Sequence, residues 1–107
     1  MNGELAHLYA NYREAAIQVV RIGDRILAGW PCEIFTEYAL ALKARAPMKA
    51  HAICLANGEL QGYIVTPEAM QAGGYEAANS LFLPETGEQL VTKSVELIEK
   101  LIEVSAP

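Results

Sequence analysis

The sequence predicts an α+β domain: a small antiparallel or mixed sheet of about four strands, built from two hairpins and covered by two main helices. Segments rich in β-branched residues are separated by Gly23-Asp24 and later by Asn57-Gly58. Both pairs are typical of tight hairpin turns, because glycine and asparagine tolerate positive φ. After each hairpin, apolar residues recur at three- and four-residue steps, which is the spacing of a helix with one buried face.

The first hairpin joins strands predicted over 16–22 and 25–30. Both strands are almost continuously apolar, so we expect them to be covered on both faces. Ahead of this hairpin, the spacing of Leu5, Leu8 and Tyr12 indicates a short helix over 4–15.

An amphipathic helix is predicted over 32–45, because Phe35, Tyr38 and Leu42 fall on one stripe. Pro47 ends it. A helix that begins at Cys32 would place its thiol at the helix N-terminus, where the dipole lowers a thiol pKa. Cys32 is therefore either a reactive group or a buried structural thiol.

The second hairpin joins strands predicted over 50–56 and 61–65. Thr66 then has the position of an N-cap before Pro67, and Gly73-Gly74 ends the short helix that follows.

The last main helix is predicted over 85–104, after an irregular segment over 75–84. Glu96 and Lys100 are spaced to pair on its exposed side. Its predicted buried stripe contains Leu90, Val91, Ser94, Ile98, Leu101 and Ile102.

Length and charge restrict the class of protein. The chain has 107 residues and a mass of 11.6 kDa, so residues 1–107 form a single domain. Its net charge of −5 argues against a nucleic-acid partner. The sequence has neither an apolar run long enough to span a membrane nor a signal peptide, so we expect a cytoplasmic protein with two reduced cysteines.

Few residues point to chemistry by position alone. His51 and Cys54 are three apart in a predicted strand and point to opposite faces, so they do not form a base–nucleophile pair. Glu33 follows Trp30-Pro31-Cys32 at a strand-to-helix junction, where a carboxylate either caps the helix or stabilises its dipole, or else serves metal binding or catalysis. Tyr63, near a strand end, is either a core tyrosine or a functional one.

Five motifs occur in a fixed order along the chain. The motifs are Arg21-Ile22-Gly23-Asp24, Pro31-Cys32-Glu33, Leu55-Ala56-Asn57-Gly58, Gly62-Tyr63-Ile64-Val65-Thr66 and Gly74-Tyr75-Glu76-Ala77-Ala78. From about Ala16 to Leu101, their order and spacing resemble the C-terminal part of the catalytic domain of the neutral/alkaline non-lysosomal ceramidases. Members of that family are zinc-dependent amidases that cleave the amide of ceramide-like lipids.

The resemblance implies that Glu33 and Tyr63 match a glutamate and a tyrosine that hold the zinc. The family's two histidine ligands and its serine lie upstream, and His7 and His51 do not match them. Glu33 and Tyr63 are therefore predicted to form a relic or partial zinc site, and no catalytic residue is assigned. Cys32 replaces a family glycine, and it would strain the turn if its φ were positive. We expect Glu33 and Tyr63 to lie close in space.

Three functions follow as hypotheses. The first is a stand-alone, non-catalytic module that self-associates, as a homodimer or with a missing complementary subunit, because an enzyme fragment exposes the surface that met the rest. The second is a subunit of a zinc-dependent amide hydrolase whose site is completed by another chain. The third is a small apolar-ligand binding protein with a pocket near Trp30, Tyr63 and Phe82.

Overall fold

The computed structural model describes residues 16–56, 62–80, 82–83 and 85–105. The predicted helix over 4–15 and the Asn57-Gly58 turn lie outside these residues. The described elements are β1 (Gln18–Ile22), β2 (Arg25–Gly29), β3 (Glu33–Ile34), α1 (Thr36–Arg45), β4 (Lys49–Ile53), β5 (Tyr63–Ile64), α2 (Pro67–Ala72), α3 (Tyr75–Ala78) and α4 (Thr86–Ser105). They form an α+β fold, as the sequence predicts.

A three-stranded mixed sheet in the order β1-β2-β4 is the centre of the fold. The first predicted hairpin is confirmed, since β1 and β2 pair antiparallel with Val20 opposite Leu27. Gly23 has φ 61° in the turn, which a residue without Cβ adopts at no steric cost.

The second predicted hairpin is wrong in its pairing. β4 pairs in parallel with β2, and β5 pairs in parallel with β3 in a separate two-stranded sheet. A parallel pair needs a crossover connection, which α1 supplies between β2 and β4. The helix packs against β4 and returns the chain in the same direction as β2.

The helix predicted over 32–45 begins later, at Thr36. Glu33 and Ile34 form β3 instead, because their backbone pairs with β5. Phe35 is the N-cap and makes no side-chain cap hydrogen bond. The capping role weighed for Glu33 is therefore wrong.

The inner face of the three-stranded sheet is buried against α1 and α4. Ile26, Ala28 and Ala50 line this face. In one cluster they pack with Leu42 of α1 and with Val91 and Ile98 of α4. At the end of β2, the indole Nε1 of Trp30 donates to Ser94 Oγ of α4 at 2.9 Å, so the one buried indole has its acceptor.

The opposite face of this sheet, which we call the outer face, consists of three rows of side chains that run across the strands. The basic row is Ile22, Arg25 and Lys49; the central row is Val20, Leu27 and His51; the uncharged row is Gln18, Gly29 and Ile53. Within the described ranges, both main helices lie on the inner side and leave the outer face uncovered. The expectation that both faces of the hairpin are covered is therefore wrong, and Ile22 is 62% exposed.

The remaining helices follow the predicted signals. Thr66 Oγ1 accepts from the amide of Ala69 at 3.1 Å and caps α2. Within the segment predicted as irregular, α3 forms a single helical turn. The buried stripe of α4 is confirmed at Leu90, Val91, Ser94 and Ile98, with Leu101 and Ile102 half-buried. Glu96 pairs with Lys93 at 3.3 Å, where the sequence predicts Lys100. In the part of the chain that is described, no helix is long and apolar enough to cross a membrane.

Candidate metal site

Glu33 and Tyr63 are direct neighbours in the two-stranded sheet. The amide of Glu33 donates to the carbonyl of Gly62 at 2.9 Å, and the amide of Phe35 donates to the carbonyl of Ile64 at 3.1 Å. In-register residues of paired strands point to the same face. The sheet therefore brings together the two residues that the resemblance singles out.

Buried anchors on both sides of this sheet hold the pair in place. Before β3, Trp30 and Cys32 are buried, and the carbonyl of Cys32 accepts from the amide of Leu55 at 3.2 Å. After β5, the hydroxyl of Tyr38 donates to the carbonyl of Val65 at 3.1 Å. Each strand has only two residues, so these anchors, more than strand length, fix the register.

Tyr63 is half-buried and packs edge-to-face on Tyr75 of α3, with ring centroids 5.7 Å apart. Withdrawal from water is the main cause that raises the pKa of Tyr63, and the carboxylate of Glu33, then Tyr75 and the carboxylate of Glu76 raise it further. Because its ordinary pKa is about 10, the hydroxyl keeps its proton at neutral pH. Tyr63 would have to lose that proton in order to bind a metal as a phenolate.

Tyr75 and Glu76 have no role in the site that the sequence predicts. The signal was present, because both belong to the fifth motif, Gly74-Tyr75-Glu76-Ala77-Ala78. Their approach to Tyr63 depends on α3 packing against β5, and spacing along the chain does not reveal such a contact.

The residues present fit part of a zinc site. The pairing of Glu33 with Tyr63 places a carboxylate and a phenol on one face, two groups of the kind that zinc binds, and Glu33 is exposed. Catalytic zinc takes three protein ligands and an open position. Among the described residues no group of three or more histidine, cysteine, aspartate or glutamate side chains is arranged to hold a metal. His51 lies in the other sheet beside Arg25, with 3.2 Å between His51 Nε2 and Arg25 Nη1.

Cys32 is a structural thiol. Burial is the main cause that raises its pKa to about 12, and Cys54 adds to it. The predicted lowering of the Cys32 pKa is wrong, because α1 begins four residues further along the chain and Cys32 is 1% exposed. Cys32, which replaces the family glycine, does not have a positive φ and so does not strain the turn. Among the described residues other than glycine, the positive φ belongs to Leu55, at 57°.

A cavity of about 160 Å³ lies beneath the two-stranded sheet. We call it the apolar cavity, and its lining includes Cys32, Ile64, Phe82 and Leu90. The sequence predicted a pocket near Trp30, Tyr63 and Phe82. Phe82 lines the cavity, but Trp30 does not, because it is fully buried in the core, and neither does Tyr63.

The chain is similar to neutral ceramidases. It is 36% identical to the neutral ceramidase of Drosophila melanogaster over 78 residues, which cover 64% of this chain and 11% of that protein. The neutral ceramidase of Drosophila pseudoobscura pseudoobscura gives the same identity and coverage. No family model and no solved structure matches the chain. This chain, as its motifs predict, is thus related to a segment of the neutral ceramidases.

Proposed function

We propose that this chain is a ceramidase-related module that catalyses no reaction on its own and that self-associates as a homodimer through its outer face. The observation that carries the proposal is the outer face itself, where Val20, Ile22 and Ile53 are 41%, 62% and 45% exposed on one side of a sheet. Apolar side chains grouped in this way are typical of interaction surfaces. A cytoplasmic location stays a prediction.

The proposed lack of catalysis rests on the incomplete ligand set. Glu33 and Tyr63 are two oxygen ligands, and a hydrolytic zinc needs a third protein ligand to hold it while one position stays open for water. Two members of a constellation bind a metal weakly and do not assemble the groups that catalysis requires. We therefore derive no reaction step for the chain alone.

The proposed dimer follows from the pattern of charge on the outer face. Two outer faces can pack on each other about a two-fold axis that lies in the plane between them and runs perpendicular to the strands. This axis places the basic row of one copy over the uncharged row of the other. The central rows then pack on each other. This arrangement buries apolar side chains without opposing like charges, and two-fold dimers are the commonest oligomers.

The variant Val20→Asp tests this interface. Val20 lies in the central row, so two introduced carboxylates would face each other across the axis and repel. Sedimentation equilibrium should show a wild-type dimer and a monomeric, folded Val20→Asp chain.

The matched control is Leu40→Asp, which changes a side chain 58% exposed on α1, away from the outer face. It should remain a dimer. A monomeric wild type, or equal dissociation of both variants, would overturn the proposal.

One observation favours a second candidate, a subunit of a zinc-dependent amide hydrolase whose site is completed by another chain. That observation is the in-register pairing of Glu33 with Tyr63, which puts a carboxylate and a phenol side by side as candidate oxygen ligands. In this case the missing ligands would come from a complementary chain. The relatives' name, neutral ceramidase, suggests that the amide substrate would be a ceramide.

Zinc titration followed by calorimetry separates the two candidates. The first predicts no stoichiometric binding by the isolated, metal-stripped chain. Stoichiometric binding that Glu33→Gln and Tyr63→Phe abolish, and that Glu37→Gln retains, would establish the second. Glu37 is a suitable control because it is an exposed carboxylate on the adjacent helix.

A further inference from the structure

We propose that the apolar cavity binds a small organic monocarboxylate that carries a short apolar chain or ring. The cavity lies on the opposite side of the two-stranded sheet from Glu33 and Tyr63, since Ile64 lines it and follows Tyr63 in β5. The site is therefore independent of the proposed metal ligands. It is also independent of the outer face, which belongs to the other sheet.

The floor of the cavity sets the size of the apolar group. Cys32, Ile64 and Leu90 are buried there, and Phe82 forms part of the wall. An apolar cavity of about 150 Å³ is large enough to bind a molecule the size of benzene. A volume of about 160 Å³ therefore accommodates a benzene-sized ring or a short alkyl chain.

The floor offers little to a polar ligand. Cys32 is 1% exposed, and its thiol is only a weak hydrogen-bond donor and acceptor. The other three side chains named above carry no hydrogen-bonding group. A charged or strongly hydrated group would lose its water here without compensation, so the inner part of the ligand must be apolar.

The residues at the mouth of the cavity determine the charge of the outer part of the ligand. Thr86, Gln89 and Lys93 lie at three- and four-residue steps along α4 and all line the cavity. They offer a hydroxyl, an amide and an ammonium. An anionic head that accepts hydrogen bonds matches this set, and a carboxylate is the simplest group of that kind.

Lys93 is available for such a ligand. Its ammonium pairs with Glu96 at 3.3 Å on the outside of α4, and the Lys93 side chain is 69% exposed. Exposed ion pairs of this type contribute little to stability. Exchange of Glu96 for a ligand carboxylate therefore costs little, and the lysine stem continues to cover the apolar wall.

Titration with hexanoate, followed by amide chemical shifts in NMR spectra, tests the proposal. Hexanoate should give saturable shifts at residues on both sides of the cavity, in α4 near Gln89 and in β5 at Ile64. Acetate has the same head without the chain, and hexan-1-ol has the chain without the charge. Both should bind more weakly than hexanoate.

Two lysine variants identify the charge contact. Lys93→Met keeps the apolar stem and should weaken hexanoate binding about fivefold, the factor that about 1 kcal/mol represents. Lys100→Met removes a charge from the same helix outside the cavity lining and should leave binding unchanged. Absence of saturable shifts up to the solubility limit would overturn the site. Equal binding of hexanoate and hexan-1-ol would overturn the assignment of a carboxylate ligand.

Discussion

The two faces of the three-stranded sheet are formed by the same strands but have opposite surroundings. On the inner face, Ile26 and Ala28 are fully buried beneath α1 and α4. On the outer face, Val20 and Ile22 are exposed, and the charged residues of its rows, Arg25 and Lys49, are cationic in a chain whose net charge is −5. Since side chains alternate along a strand, one set folds the chain, and we propose that the other set binds a second copy.

The contrast explains why apolar composition alone is a poor guide to this fold. Strands β1 and β2 are similarly apolar, yet β1 is largely exposed and β2 largely buried. An isoleucine contributes to folding only where other elements cover it, and the same residue on an uncovered edge strand is a site for association.

Two isoleucines of one hairpin, Ile26 and Ile22, should differ most in their contribution to the free energy of unfolding. Ile26→Ala leaves a cavity in the core and should lower the free energy of unfolding by about 2–5 kcal/mol. Ile22→Ala should change it by less than about 0.5 kcal/mol, because that side chain is 62% exposed. Urea denaturation at a concentration where the chain is monomeric measures both. Equal losses would mean that the outer face is covered within the monomer.

The two cysteines, one buried and one exposed, should differ in how they affect the pH dependence of stability, and this difference is smaller. Burial raises the pKa of Cys32 from its ordinary 9.0 to about 12. Above pH 9 the unfolded chain loses this proton while the folded chain keeps it, so stability is complete below that pH and declines as the pH rises toward 12. The slope attributable to Cys32 is about 1.4 kcal/mol per pH unit.

Urea denaturation between pH 8 and pH 10.5 checks this prediction. Relative to its own value at pH 8, Cys32→Ala should lose less stability than the wild type over that range. Cys54→Ala is the matched control and should follow the wild type. Parallel pH profiles for wild type and Cys32→Ala would show that this thiol does not titrate as a buried group.

Local signals in the sequence predict much of the fold. Gly23-Asp24 identifies the first hairpin, Thr66 identifies the cap of α2, and the stripe through Val91 and Ile98 identifies the buried side of α4. Each of these depends on residues close together in the chain. The parallel pairing of β2 with β4 joins distant segments, and a strong Asn57-Gly58 turn signal favours a different partner for β4.

The candidate site was predicted for a different reason. Glu33 and Tyr63 have no local signal that distinguishes them from a capping glutamate or a core tyrosine, and the resemblance to ceramidases selected them. The sequence does not predict the two-residue strand β3, because Ile34, Phe35 and Tyr38 also have helical spacing. The contact with Tyr75 depends on the packing of α3 and was not predicted.

The proposed packing of two outer faces brings side chains of separate copies into contact. An isotope-filtered NOESY spectrum of a mixed sample, with one half of the molecules ¹³C-labelled, detects such contacts. We expect intermolecular contacts from the methyl groups of Val20 and Leu27 in one copy to the same methyl groups in the other, across the two-fold axis. Absence of such contacts, or intermolecular contacts from Leu40 of α1 or Val104 of α4 in their place, would contradict it.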